Sequence, residues 1–177
     1  MISSRKFLRP LALVSIIFLA GCSLDGGVSK NSGTNSTQNT GGKVQENAGG
    51  SVQITGEAGK EPTIVAPKGN PPTTLVSKDL IPGSGAVVAP TSTLTVQYKL
   101  MTWSDGKIVD SSWTSGKPAT FPLAQVIPGW QQGLPGMKAG GRRLLVIPPS
   151  LGYGATGAGP IKANETLIFV VDLIEVK

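Results

Sequence analysis

The sequence predicts one α+β domain, an antiparallel sheet with a single short helix, preceded by a long segment that belongs to no core. Three observations carry this. Alternating or Val/Ile/Leu-rich runs of strand length recur from about Thr74 to the C-terminus. Clusters such as PGSG, SDGK, TSGKP and PPS punctuate them as turns. Only Pro128 to Leu134 offers a helical stretch, and it is short and interrupted by glycine.

The first element is a leader. MISSRKFLRPLALVSIIFLAGCS sets Arg5, Lys6 and Arg9 before an apolar run from Leu11 to Ala20, then small residues ending at Cys22, the layout of a secretory signal peptide. Its run of about ten residues is short of the ~20 needed to cross a bilayer as a permanent helix, so residues 1–21 read as cleaved. Leu19-Ala20-Gly21-Cys22 resembles the bacterial lipobox, in which the cysteine is acylated and becomes the new N-terminus. A plain signal peptide, or an anchor that happens to contain a cysteine, is the alternative. Lipidation at Cys22 predicts an extracytoplasmic protein held to a bacterial membrane. As the only cysteine, a lipidated Cys22 leaves no thiol for disulfide, metal or redox chemistry.

Residues 22–61 are rich in Gly, Ser, Thr, Asn and Gln and poor in large apolar side chains. Such a stretch buries too little surface to offset the entropy of ordering, and it reads as a flexible tether. A chain of about 40 residues at ~5–6 Å × √n reaches roughly 35 Å. The folded part is then 62–177, with its core in 74–177, long enough for one domain.

Within that domain, TLVSKDLIPGSG reads as a short or edge strand. Thr93 to Leu100 alternates strictly, setting Leu94, Val96, Tyr98 and Leu100 on a core face and Thr, Gln and Lys on a water face. GKIVDSS and ATFPL read as further short strands, and Arg142 to Ile147 and Thr166 to Val176 as central ones.

Composition removes several chemistries. The formal charge of +6 becomes +3 without the three basic residues of the leader, and only Arg142-Arg143 are adjacent, so no basic footprint for nucleic acid stands out and the cations read as a solvated surface. With no histidine there is no His-activated serine and no imidazole ligand; no metal site and no cofactor are expected. Glu165, Asp172, Glu175, Asp79 and Asp105 read as solvated or turn carboxylates, whereas Asp110, after Ile108-Val109 and before Ser111-Ser112, suits the rim of a core. The stretch GYGATG at 152–157 matches the glycine spacing of a dinucleotide loop, but a loop and then a strand follow it instead of a helix. Its meaning therefore rests on Tyr153.

In order along the chain, YKLMTWSDGKIVDSSW, QVIPGWQQGLPGMKAGGRRLLVIPPSLGYGATGAG and NETLIFVVDLIEV resemble the FKBP-type peptidyl-prolyl cis-trans isomerases, from about Thr74 to the C-terminus. The resemblance implies a five-stranded antiparallel sheet curled around one short helix, and isomerase activity on X–Pro bonds without a cofactor. It also implies roles by position. Trp130 is similar to the tryptophan that floors the proline pocket, and Tyr98, Phe121, Val126, Ile127 and Phe169 to pocket-wall residues. Ile127, through its backbone N–H, and Tyr153, through its hydroxyl, are similar to the groups that bond ligand carbonyls. Asp110 matches the carboxylate at the pocket edge, and Ile161 an apolar residue of the covering flap. Expected partners are proline-containing polypeptides and macrolide ligands of the family, with the chain acting as a monomer.

The chain also departs from the family pattern. Val109 stands where many members carry an aromatic before the aspartate, Ala119 where many carry one two residues before Phe121, and the segments after Tyr153 and between Phe121 and Trp130 are shortened. A thinner pocket wall keeps a second expectation in play, a non-catalytic binding or chaperone-like module of the same fold.

Overall fold

The computed structural model describes residues 43–44 and 51–177. The leader, Cys22 and most of the tether lie outside the described residues. Among the described residues the strands are β1 (Lys43–Val44), β2 (Val52–Thr55), β3 (Thr63–Val65), β4 (Val76–Ile81), β5 (Thr93–Thr102), β6 (Ile108–Ser111), β7 (Ala119–Pro122), β8 (Arg142–Ile147) and β9 (Leu167–Val176), with one α-helix, α1 (Pro128–Gly133).

The main sheet runs β4-β8-β9-β5-β6, every neighbour antiparallel, and β7 is a sixth strand that pairs β5 beside β6. Its axis is the long β5–β9 pair, registered from Leu94 opposite Val176 to Thr102 opposite Leu167. Strands β8 and β9 are buried on both faces. Leu145, Ile147, Leu167, Phe169, Val171 and Leu173 join the inner core with Leu94, Val96, Leu100 and Trp130, while Leu144, Val146, Ile168 and Val170 point to the other side. The unbroken apolar run in each strand follows from this two-sided burial.

The second side is not water. A small sheet β1-β2-β3 lies there, and Val52, Ile54 and Ile64 pack with Met101, Trp103, Leu144, Val146, Ile168 and Val170. The structure thus corrects the reading of 22–61 as tether throughout, because β2 (Val52–Thr55) lies inside it. Two apolar residues at period two are too faint to stand out in a Gly-rich stretch, but they complete a core that already exists. It also corrects the water face of β5, whose Lys99 Nζ donates to Glu61 Oε1 at 2.7 Å and to the Pro62 carbonyl at 3.1 Å. Further along, Trp103 Nε1 donates to the Gly69 carbonyl at 3.1 Å.

The charged residues tighten this layer, against the expectation of solvated side chains. Arg142 is 0% exposed and sits opposite Asp172 across β8 and β9. Its guanidinium pairs with both carboxylate oxygens, at 2.8 Å for Nη2–Oδ2, and donates to the carbonyls of Gly56 and Lys60. Asp172 also accepts from the Gly59 N–H at 2.8 Å. Glu165, likewise buried, accepts from the Ser104 N–H and hydroxyl. These groups can be hidden because each is held by several hydrogen bonds.

Burying Val52 and Ile54 stabilises by ~1.5–3 kcal/mol each before the entropy of ordering the segment is subtracted. A chain starting at Pro62 is therefore expected to lose about 1–3 kcal/mol in urea unfolding. It is also expected to bind an apolar dye through the uncovered Met101, Leu144 and Ile168.

The inner face carries α1. Pro128 opens it at a position where a missing N–H costs nothing. Gly129 and Gly133 let it lie directly on the sheet: a Cβ on Gly129 would sit 2.4 Å from Ile147 Cγ2, and one on Gly133 2.7 Å from Leu145 Cδ2. That contact delivers Trp130 into the inner core.

Candidate functional site

A cavity of about 440 Å³ opens over α1, within the range of small-ligand sites. It is lined by Tyr98, Leu100, Asp110, Phe121, Gln125, Val126, Ile127, Trp130, Tyr153 and Phe169. The structure brings together every predicted site residue of the folded domain except Ile161. That residue is 8% exposed and packs in the inner core instead of the cavity wall. The glycine-rich turn accounts for the difference: Gly157 and Gly159 take positive φ, Ala158 and Ile161 form a bridge, and Ile161 folds inward.

Four rings shape the cavity. Trp130 meets Tyr98, Phe121 and Phe169 nearly edge-on, with centroids 5.8, 5.9 and 5.3 Å away and interplanar angles of 83°, 86° and 83°. Tyr98 also contacts Phe121 and Phe169 at 6.1 and 6.3 Å. Edge-to-face packing favours one arrangement of rings over others, so the cage is held in shape without a ligand. The Trp130 indole N–H is buried without an acceptor among the described residues.

Polar groups gather at the rim. Tyr98 donates its hydroxyl to Asp110 Oδ2 at 2.6 Å, fixing both side chains. Burial, then the hydrogen bond and charge of Asp110, hold the Tyr98 phenol well above its ordinary pKa, so it stays protonated through the neutral range. In a spectrophotometric titration, one of the two tyrosines should ionise only at the alkaline limit, and Tyr98→Phe should remove that step. Because the unfolded phenol ionises first, stability is unaffected below about pH 10 and falls as pH rises beyond it. Two other donors lack partners among the described residues: the Ile127 N–H and the hydroxyl of Tyr153, a residue 38% exposed at the mouth.

Several supporting residues escape sequence reading. Gln131 donates to the Val126 carbonyl at 2.7 Å and braces the segment leading to Ile127. Arg143 donates to the Gly133 carbonyl at 2.9 Å while its other nitrogens grip Asp79 at 2.6 and 3.0 Å, and Ser77 also bonds Gly133 at 2.8 Å. These contacts clamp the far end of α1 to β4 and β8. A guanidinium beside glycine-rich turns carries no local sign of that task. Gln125 and Leu100 line the cavity, whereas Val109 packs at its side without lining it.

Comparison with known proteins agrees with this geometry. Residues 85–174 match the family model described as FKBP-type peptidyl-prolyl cis-trans isomerase. The chain is 44% identical over 115 residues to a probable FK506-binding protein of Corynebacterium glutamicum, covering 65% of this chain and 98% of that protein. It is 46% identical over 121 residues to an FK506-binding protein of Streptomyces anulatus, covering 66% and 98%. Among solved structures, FkpA from Escherichia coli superposes with a TM-score of 0.56 at 45% identity, covering 59% of this chain and 49% of that one. AtFKBP13 superposes with a TM-score of 0.55 at 34% identity, covering 60% and 96%. With its central sheet, its aromatic cavity and half of its length matched in this way, the chain belongs to the FKBP-type peptidyl-prolyl cis-trans isomerases.

Proposed function

We propose that this isomerase holds the proline of an X–Pro bond in the aromatic cavity and accelerates its rotation by binding the twisted amide better than the planar one. The barrier is ~18–20 kcal/mol because resonance gives the C–N bond double-bond character. In the twisted state the nitrogen lone pair no longer delocalises onto oxygen, so the group is less polar and suits a desolvated pocket better than water. Differential binding of that state is enough, without a nucleophile or cofactor. In this reading Trp130 is the floor, Tyr98, Phe121, Val126 and Phe169 are the walls, and Asp110 fixes the rim through Tyr98. The Ile127 N–H and the Tyr153 hydroxyl hold carbonyls on either side of the bond. The observation that carries the reading is the combination of a preformed ring cage with two donors at its mouth that have no partner among the described residues.

The clients are secreted or envelope polypeptides, met by a monomer tethered through Cys22 to a bacterial membrane. The signal-like leader supports this placement, as does a relative from Legionella longbeachae, 41% identical over 125 residues, that is named an outer membrane protein. The FK506-binding names of two relatives support macrolide binding in the same cavity. A non-catalytic binding role is favoured by one feature, the position of Val109 outside the cavity wall. The two readings separate in a cis-to-trans assay on a short X–Pro peptide, using the chain from Ser23 onward. The isomerase reading expects acceleration well above the uncatalysed rate, blocked by a macrolide, with Tyr153→Phe lowering kcat/KM about 2- to 12-fold, as loss of one hydrogen bond of ~0.5–1.5 kcal/mol implies. A folded wild-type chain that binds the peptide but leaves the rate unchanged would support the binder.

A further inference from the structure

We infer that the cleft beside β6 is a second subsite, which takes an extended stretch of the substrate chain flanking the proline; the inference rests on the isomerase reading of the first cavity. The cleft measures about 420 Å³ and is lined by Ile108, Val109, Asp110, Ser111, Thr114 and Ser115. Asp110 lines the first cavity as well, so the two adjoin at a single residue. Each residue of an extended chain advances ~3.3–3.6 Å, so a few residues on one side of a bound proline reach from one cavity into the other.

The chemistry of the cleft suits a polypeptide backbone. Strand β6 ends the order of the main sheet, with no strand beyond it among the described residues. An edge of this kind offers main-chain groups to an added segment. The Ser111 hydroxyl is buried with no partner among the described residues, an unmade bond that costs free energy, and a rotation of this short side chain toward the cleft it lines would let an incoming peptide group supply the partner. Ile108, 43% exposed, and Val109 supply aliphatic surface for a side chain of the same segment. Hydroxyls, a carboxylate and two aliphatic groups along a strand edge match an extended polypeptide better than a wholly apolar ligand.

The test uses three peptides around one X–Pro bond: a capped peptide with one residue on either side, and the same peptide extended by six residues toward the N-terminus or toward the C-terminus. For the wild-type chain, kcat/KM should be about fivefold or more higher on one extended peptide than on the short one, through KM. Thr114→Trp, which fills the cleft at an exposed position, should abolish that gain and leave the short peptide within about twofold of wild type. Ile108→Asp, also at an exposed position, should reduce the gain in the same way. Equal wild-type values on all three peptides, or an equal fall on all three in Thr114→Trp, overturns the subsite while the isomerase reading stands. No acceleration of any peptide removes the isomerase reading of the first cavity and the subsite with it.

Discussion

Arg142→Ala is expected to lower the unfolding free energy by about 3–5 kcal/mol, a large share of the stability of a domain this size. The cause is less the lost attraction than the Asp172 carboxylate left behind, buried with the Gly59 N–H as its remaining donor. The carbonyls of Gly56 and Lys60 lose their donors in the same step. Urea unfolding measures the loss, and hydrogen exchange should report early opening of residues 51–60. The double variant Arg142→Met/Asp172→Leu should recover part of the stability, since it removes the unpaired carboxylate but leaves the Gly56 and Lys60 carbonyls and the Gly59 N–H without these partners. A single variant as stable as wild type, or a double variant no better than the single, would show that the pair is not what fastens this layer.

Trp130→Leu is expected to lower kcat/KM on a short X–Pro peptide about 10- to 100-fold, a loss of roughly 1.4–2.7 kcal/mol in transition-state binding. Leucine keeps an apolar side chain over the sheet but removes the indole that meets three other rings. The same change should also cost stability, less than the ~3–5 kcal/mol of a truncation to alanine. Activity should therefore be compared at denaturant-free conditions where both proteins are fully folded by circular dichroism. Val126→Ala, at the edge of the same cavity, should cost less, because it trims a wall and leaves the ring cage intact. Equal losses in the two variants would mean that the indole has no special part in the cavity.

Much of the sheet was legible because its signals are local. The alternation from Thr93 to Leu100 identifies the side chains that β5 turns inward, and the apolar runs after Arg142 and Thr166 mark β8 and β9 almost to the residue. Pro128 and the glycines after it mark the helix. What was not legible depends on distant partners. Val52 and Ile54 form a strand because a finished sheet presents an apolar back, and nothing within four residues announces it. Arg142 and Asp172 look like surface charges until β8 and β9 set them side by side across 30 positions of chain. The cavity divides in the same way: the rings and Ile127 were recognisable by resemblance, but Gln131, Arg143 and Ser77 hold α1 through bonds that no motif announces. Ile161 is the reverse case, a flap residue by resemblance that a tight glycine turn commits to the core.

The bare faces of Gly129 and Gly133 make the depth of the cavity adjustable from behind. A methyl at either position would press into Ile147 or Leu145, so that either those side chains repack or the helix rises from the sheet with the Trp130 floor. The seating of that floor thus depends in part on two positions that lie outside the cavity lining. Capacity and chemistry are separable in this architecture: one is written on the hidden side of the helix, the other on the open side.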